Sequence, residues 1–420
     1  MRASLRTVPT TIASIALLGC GGGGSGDPDA VPTPACEPSA GATFEPDDSV
    51  GTKVNVHAVF AGGAAWLTYD VVEGDTSNLD VAMVRVGCDG ATLSQGLVTS
   101  RAGNNDTSAP LATAGERVLV TWAADKGPVT DNLDIFTRAF ALDGTPAGDD
   151  AVLAHELGDF PAMVADWMPG VAGDSDDDGF VVVGTRAHPE VERFATFITR
   201  TDAAGAADGA TLEPSLVPMA NHNFPAAATT SAGTLVAYLD GPDTGDDHVV
   251  WTLLAAGADT LAPSPPSQVV ELPAAGAPPA LAGLGDHGYA VVNTDSNGGA
   301  DGGSAQLWVR RLPGGAPADA VEIAPGTAAN YYPAVATDGV SGGAVAWLRF
   351  GATRELWLAR FVDDGGAITA SAPVQVTTER SVSAYKPAIV HLAGDHFLVA
   401  WHEYDGTNYR LLAQIVELPA

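Results

Sequence analysis

The sequence predicts an all-β fold, a seven-bladed β-propeller of four-stranded blades whose ring is closed by an N-terminal outer strand on the last blade. Two observations carry this expectation. Pro-Ala recurs at Pro161, Pro225, Pro279, Pro333 and Pro387, the last four at intervals of 54 residues (279 − 225, 333 − 279, 387 − 333). A unit of about 50 residues holding four short strands marks propeller blades rather than helical pairs. The 49 glycines and 29 prolines among 420 residues supply the turns such a fold needs without reaching a low-complexity composition. A closed ring of repeats is one cooperative body, so the length does not call for several domains.

Innermost strands are expected at residues 56–61, 109–114, 161–166, 225–229, 279–283, 333–337 and 387–391, short and rich in Ala and Val as a crowded channel wall requires. Second strands follow at 64–69, 118–122, 180–184, 234–238, 289–293, 343–347 and 397–401. Their nearly unbroken apolar character is that of strands covered on both faces, here by neighbouring blades. Tyr69, Trp122, Tyr238, Trp347 and Trp401 stand at matching ends and are read as packing between blades. Third strands alternate in polarity, as in 306–310 and 356–361. Arg85, Arg200, Arg310 and Arg360 each stand five residues before a turn glycine and are expected to form ion pairs between blades.

The last unit lacks an outer strand, because little chain follows its third strand at 409–416. Gly41-Ala42-Thr43-Phe44-Glu45-Pro46 closely copies Gly209-Ala210-Thr211-Leu212-Glu213-Pro214, the outer-strand segment of the third unit. The N-terminal copy is therefore expected to complete the last blade and remove its open edge.

Arg2, Arg6, the short apolar stretch 12–18 and Leu17-Leu18-Gly19-Cys20 have the layout of an export signal, and the last four residues resemble a bacterial lipobox. That resemblance implies cleavage before Cys20 and a lipid on Cys20; Gly21 rather than Asp after it implies the bacterial outer membrane or cell surface. The domains expected are a signal peptide at 1–19, a lipidated Cys with a flexible tether at 20–40, and the propeller at 41–420. In an exported chain the two remaining cysteines, Cys36 and Cys88, read as one disulfide. With 19 basic against 51 acidic residues and a net charge of −32, the chain repels nucleic acid and anionic lipid surfaces. Membrane contact is expected through the lipid alone.

The repeat, with its Pro-Ala-x-Ala, Leu-Val-Ala-Trp and Arg-x-x-x-x-Gly elements, resembles the seven-bladed propeller repeat domains of bacterial surface and secreted proteins over nearly all of 41–420. The resemblance implies the fold and says little of function, since propellers host enzymes, binders and scaffolds.

Two constellations could carry chemistry. From Pro161 to Gly184 there are 23 residues (184 − 161), whereas Pro333 to Trp347 takes 14 (347 − 333), so the third unit is expected to carry an insertion in its first hairpin. It holds Asp174-Ser175-Asp176-Asp177-Asp178-Gly179, carboxylates at alternate positions closed by Gly, as in the first half of a calcium loop. The loop resembles those of integrin-type calcium propellers, which implies Asp174, Asp176, Asp178 and the carbonyl of Phe180 as ligands. Val182 and Thr185 stand where that family carries acids, and an acidic solvated hairpin is the alternative. A faint likeness to a sialidase Asp-box comes without an arginine cluster.

The second constellation follows from topology, which brings the starts of inner strands and the ends of second strands to one face. Phe160, His222, Phe224, Tyr331, Tyr332 and Tyr385 stand at the first; Asp70, Asp125, Asp240, Asp295, His402 and Glu403 at the second. Flat rings and carboxylates around a channel mouth suit carbohydrate or peptide contacts; aromatics that merely cap the blades are the alternative. The metal-hydrolase motif His-Glu-x-x-His is absent. The expected function is a lipid-anchored extracytoplasmic binding module for carbohydrate or protein. The alternative is a glycan-acting hydrolase or lyase using a pair of mouth carboxylates.

Overall fold

The computed structural model describes residues 36–419 except 73–78, 100–105, 108, 126–132, 149–151, 157–168, 176–178, 189–192, 215–219, 243–246, 275–276, 296–304, 315, 325–328, 378–381 and 383–385. It is a seven-bladed β-propeller. Blade 1 sets the pattern with strands Thr52–Ala61, Ala64–Val72, Asp80–Gly87 and Thr92–Leu97, each antiparallel to the next. The outer strand is exposed along its whole length, while the second strand is buried on both faces until its last residue. That is why its sequence is an unbroken apolar run instead of an alternation.

The apolar core is divided among seven clusters of described residues, each shared by two neighbouring blades. One joins Leu67 and Tyr69 of blade 1 to Leu398 and Leu411 of blade 7; another joins Trp66 of blade 1 to Trp122 of blade 2. Trp347 lies in the cluster between blades 5 and 6, and Trp401 in the one between blades 6 and 7. The large aromatics are thus blade-to-blade packing, as the repeat predicts. Near the axis the backbones come so close that a Cβ on Gly283 would lie 1.7 Å from the carbonyl oxygen of Thr229 in the preceding blade. Only glycine fits there.

The ring closes where the sequence copy says it should. Phe44 bridges Ala413, and Gly41 donates to the Ile415 carbonyl at 3.1 Å. The parent copy behaves alike: Leu212 bridges Ile198 in blade 3. Each following glutamate also finds an arginine, Glu213 with Arg186 at 2.9 Å and Glu45 with Arg410. Cys36 and Cys88 form the expected disulfide beside this seam.

Two expectations need correction. The inner strand of blade 3 is Gly170–Gly173, paired with Phe180–His188, and not the stretch from Pro161. The register proline is therefore Pro169, followed by glycine because a Cβ at 170 would lie 2.7 Å from the Val183 side chain. Counted from Pro169, the first hairpin is close to ordinary length; the added residues precede the inner strand, and 157–168 fall outside the described residues. The repeated arginines, for their part, mostly grip carbonyls. Arg85 donates to Leu142 and Asp143 of blade 2, Arg200 to Ala258 of blade 4 at 3.1 Å, and Arg310 to Gln268 and Val269 of blade 4 at 2.8 Å. Arg360 is the one of the four that joins blades through carboxylates, Asp338 of its own blade at 2.7 Å and Asp395 of blade 7 at 3.7 Å. Burial raises the Asp338 pKa, but the N–H groups of Val340, Ser341 and Gly342 and the Arg360 charge outweigh it and hold the carboxyl below its usual range.

Candidate functional site

Where the inner strands begin, blades 1, 4 and 6 share one local geometry. Pairing with the second strand skips from Val54 to His57, from Asn223 to Ala226 and from Tyr331 to Ala334. Inside each skip one residue is left-handed: Asn55 at φ 57°, Phe224 at 54° and Tyr332 at 55°. The bulge bends the strand, and the chain beyond it lines the central channel. Pro225 and Pro333 suit this place because proline has no N–H to offer the ladder. The left-handed conformation costs an ordinary L residue about 1–2 kcal/mol, so the two aromatics are held in it by their surroundings. The Tyr332 ring lies 6.3 Å from Tyr331 and 6.2 Å from Phe350, and Tyr331 meets Phe350 edge-on at 5.4 Å. Phe224 packs on the core between blades 4 and 5.

Asn55 is held differently. Its Nδ2 donates to Asp70 Oδ2 at 2.7 Å, and the same oxygen accepts from Thr107 of blade 2 at 2.9 Å. Asp70 is fully buried. Its carboxylate joins two blades at the mouth and is not displayed on the surface.

The inner strands enclose a channel cavity of about 170 Å³ whose wall is mostly proline and alanine. Among the described residues of that wall two side chains are basic, Lys386 and His57. Lys386 stands directly before Pro387, as Phe224 and Tyr332 stand before their prolines, and His57 takes the register place of Ala226 and Ala334. Burial brings the Lys386 ammonium down to about 8. Burial first, then the charges of Lys386 and His402, brings the His57 imidazole to about 3. His402, fully buried on blade 7, is lowered to about 3 by burial and by Lys53. Lys53 is itself buried, 3.8 Å from Asp47 Oδ2, which also accepts from the Tyr69 hydroxyl, while Asp47 Oδ1 accepts from the Ser49 N–H. Four basic side chains thus meet at the junction of blades 7 and 1.

Of the residues the sequence singles out, Asp70, Phe224, Tyr331, Tyr332, His402 and Glu403 are placed where inner strands begin or second strands end. Asp240 lies opposite His222 in the ladder of blade 4. Asp125 and Asp295 close their second strands; their side chains, like that of His222, fall outside the described residues, as do Phe160 and Tyr385 entirely. The aromatics do not form one platform, since Tyr331, Tyr332 and Phe350 group on blade 6 while Phe224 sits on blade 4. Asn55, His57, Lys53 and Lys386 are additions. Alignment of each residue preceding the register proline would have exposed Lys386.

In the blade 3 hairpin, the Asp174 carboxylate is engaged by the Arg200 guanidinium, and its N–H donates to Gly179 at 2.9 Å. Phe180 begins the second strand, fully buried. Asp176, Asp178 and Cys20 lie outside the described residues. Among the described residues no group of three or more His, Cys, Asp or Glu is placed to hold a metal, and no helix is long and apolar enough to cross a membrane.

No model of a known protein family matches the sequence, and neither does any curated protein. Solved structures are similar in fold. A protein of unknown function from Dyadobacter fermentans has a TM-score of 0.50 at 10% identity, covering 90% of this chain and 99% of its own. The β-propeller domain of the Trilobed protease from Pyrococcus furiosus has a TM-score of 0.48 at 9% identity, covering 89% and 97%. The Trypanosoma rangeli sialidase has a TM-score of 0.44 at 12% identity, covering 76% of this chain and 54% of that one. At such identities the likeness extends to the fold alone.

Proposed function

We propose that this chain is an extracytoplasmic binding module, anchored by a lipid on Cys20 at the bacterial outer membrane or cell surface, which takes a carbohydrate at the mouth of its channel. The observation that carries the reading is the left-handed bulge of blades 4 and 6, which holds Phe224 and Tyr332 at one register position where the strands turn into the channel. Backbone strain of this kind gathers at ligand clamps. Half-buried aromatic rings at the starts of inner strands offer the apolar faces a sugar needs. Binding is favoured over turnover because Asp70 is fully buried and engaged by Asn55 and Thr107.

Screening the purified propeller against a glycan array, beside Phe224→Ala and Tyr332→Ala, tests this. Glycan binding that either variant weakens at least tenfold, without release of reducing ends, supports it. Turnover abolished by Glu403→Gln or Asp70→Asn would establish the glycan-acting enzyme instead. Absence of glycan binding by the wild type would remove the carbohydrate. For the anchor, Cys20→Ala should release the protein from membranes and abolish metabolic lipid labelling.

A further inference from the structure

We infer that the blade 7 side of the channel is a carboxylate site, with Lys386 as the cationic contact and His57 as a neutral hydrogen-bond partner, so that the ligand is an acidic sugar. The sugar half of this inference rests on the function proposed above; the anion half does not.

Four observations converge on it. The chain carries 51 acidic residues against 19 basic ones, yet among the described residues the channel cavity is lined by a lysine and a histidine and by no Asp or Glu. A random draw from this composition would favour carboxylates. The lysine and the histidine are also departures from the repeat confined to one junction, since Ala226 and Ala334 stand at the position that matches His57, and Phe224 and Tyr332 at the one that matches Lys386. The repeat therefore has no structural need of them.

Lys386, moreover, has no ion-pair partner among the described residues, and burial, with no opposing carboxylate, is what lowers its ammonium to about 8. A partly buried ammonium without a counter-charge is destabilised by desolvation, and an arriving carboxylate relieves that, since charges attract strongly where water is scarce. Finally, at about 170 Å³ the cavity is below the usual range for a drug-sized ligand. One acidic group or a single sugar ring is the scale it admits. His57, lowered to about 3, is neutral at pH 7 and supplies one N–H donor and one acceptor.

Calorimetry at pH 7 and low ionic strength tests this with four probes, glucuronate, glucose, acetate and inorganic phosphate, on the wild type, Lys386→Met and Lys386→Arg, with thermal midpoints confirming that each variant folds. Glucuronate should bind at least tenfold more tightly than glucose, lose at least tenfold in Lys386→Met, and be largely restored in Lys386→Arg. Glucuronate and glucose binding alike, unmoved by Lys386→Met, would overturn the anion site and leave the sugar reading standing. Acetate binding as tightly as glucuronate, and through Lys386, would support the anion site and remove the sugar. Phosphate bound in clear preference to both carboxylates, or no heat from any probe, would overturn the carboxylate assignment.

Discussion

Phe44 and Ala413 exchange both backbone hydrogen bonds, each 2.9 Å long, and so join the two ends of the propeller into one sheet. Glu45 pairs with Arg410 next to them, and the Phe44 ring packs on the core between blades 7 and 1. Closure is thus a β-pairing, a charge pair and an apolar contact in one short segment, and it protects the third strand of blade 7 from being an open edge.

Deleting residues 41–46 should lower stability by about 3–5 kcal/mol, since it removes that pairing and uncovers an apolar edge. Urea midpoints of the deletion and the wild type measure it. An unchanged midpoint would mean that the ring draws its closure from elsewhere.

The Cys36–Cys88 disulfide spans 52 residues, a loop whose cross-linking stabilises by roughly 4 kcal/mol when the unfolded chain's lost entropy dominates. Replacing both cysteines by alanine should approach that loss. Because the bridge and the 41–46 pairing restrain the same seam, removing both should cost less than the sum of the two. Additive losses would show that the two act independently.

Much of this architecture is legible in the sequence because propeller blades repeat and the ring-closing segment is a close copy: Gly41 to Pro46 matches Gly209 to Pro214 but for Phe44 in place of Leu212, and those two make corresponding bridges. Blade 3 misleads for a physical reason. Pro161-Ala162 imitates the register pair, while the true one, Pro169-Gly170, has lost its alanine to the crowding of Val183. The mouth is only half legible. Period arithmetic places Asp70, Tyr332 and His402 on one face, but it cannot say that Asp70 faces inward to Asn55 or that blade 6 gathers its rings apart from Phe224. Those are matters of side-chain direction, which a left-handed bulge changes without altering any motif.

Asn55 allows the strain at that bulge to be measured apart from its contacts. Asn55→Ala should cost about 3 kcal/mol, combining a lost hydrogen bond to the buried Asp70 carboxylate with the left-handed penalty. Asn55→Gly loses the same hydrogen bond but reaches φ 57° freely, so it should be about 1 kcal/mol less destabilising. Equal losses in chemical denaturation would show that the left-handed conformation at residue 55 carries no cost.

Acid should unfold the protein in two stages, and the earlier one belongs to the histidines. His57 and His402 are both held at about 3, chiefly by burial, whereas in the unfolded chain each titrates near 6.5. Between those values the unfolded state binds protons that the folded state does not. Stability is therefore complete above pH 6.5 and falls as the pH is lowered toward 3, with a slope of up to about 1.4 kcal/mol per pH unit for each imidazole. The carboxylates held low, Asp338 among them, contribute the same sign but only where ordinary carboxyls begin to protonate, around pH 4 and below. His57→Ala installs the residue that blades 4 and 6 carry at this position. It should roughly halve the slope of unfolding free energy between pH 6 and 5 while leaving the loss below pH 4 in place. A slope in that window that is already flat in the wild type would mean that the two imidazoles titrate alike in the folded and unfolded chain, and that the junction of blades 7 and 1 is wetter than its packing implies.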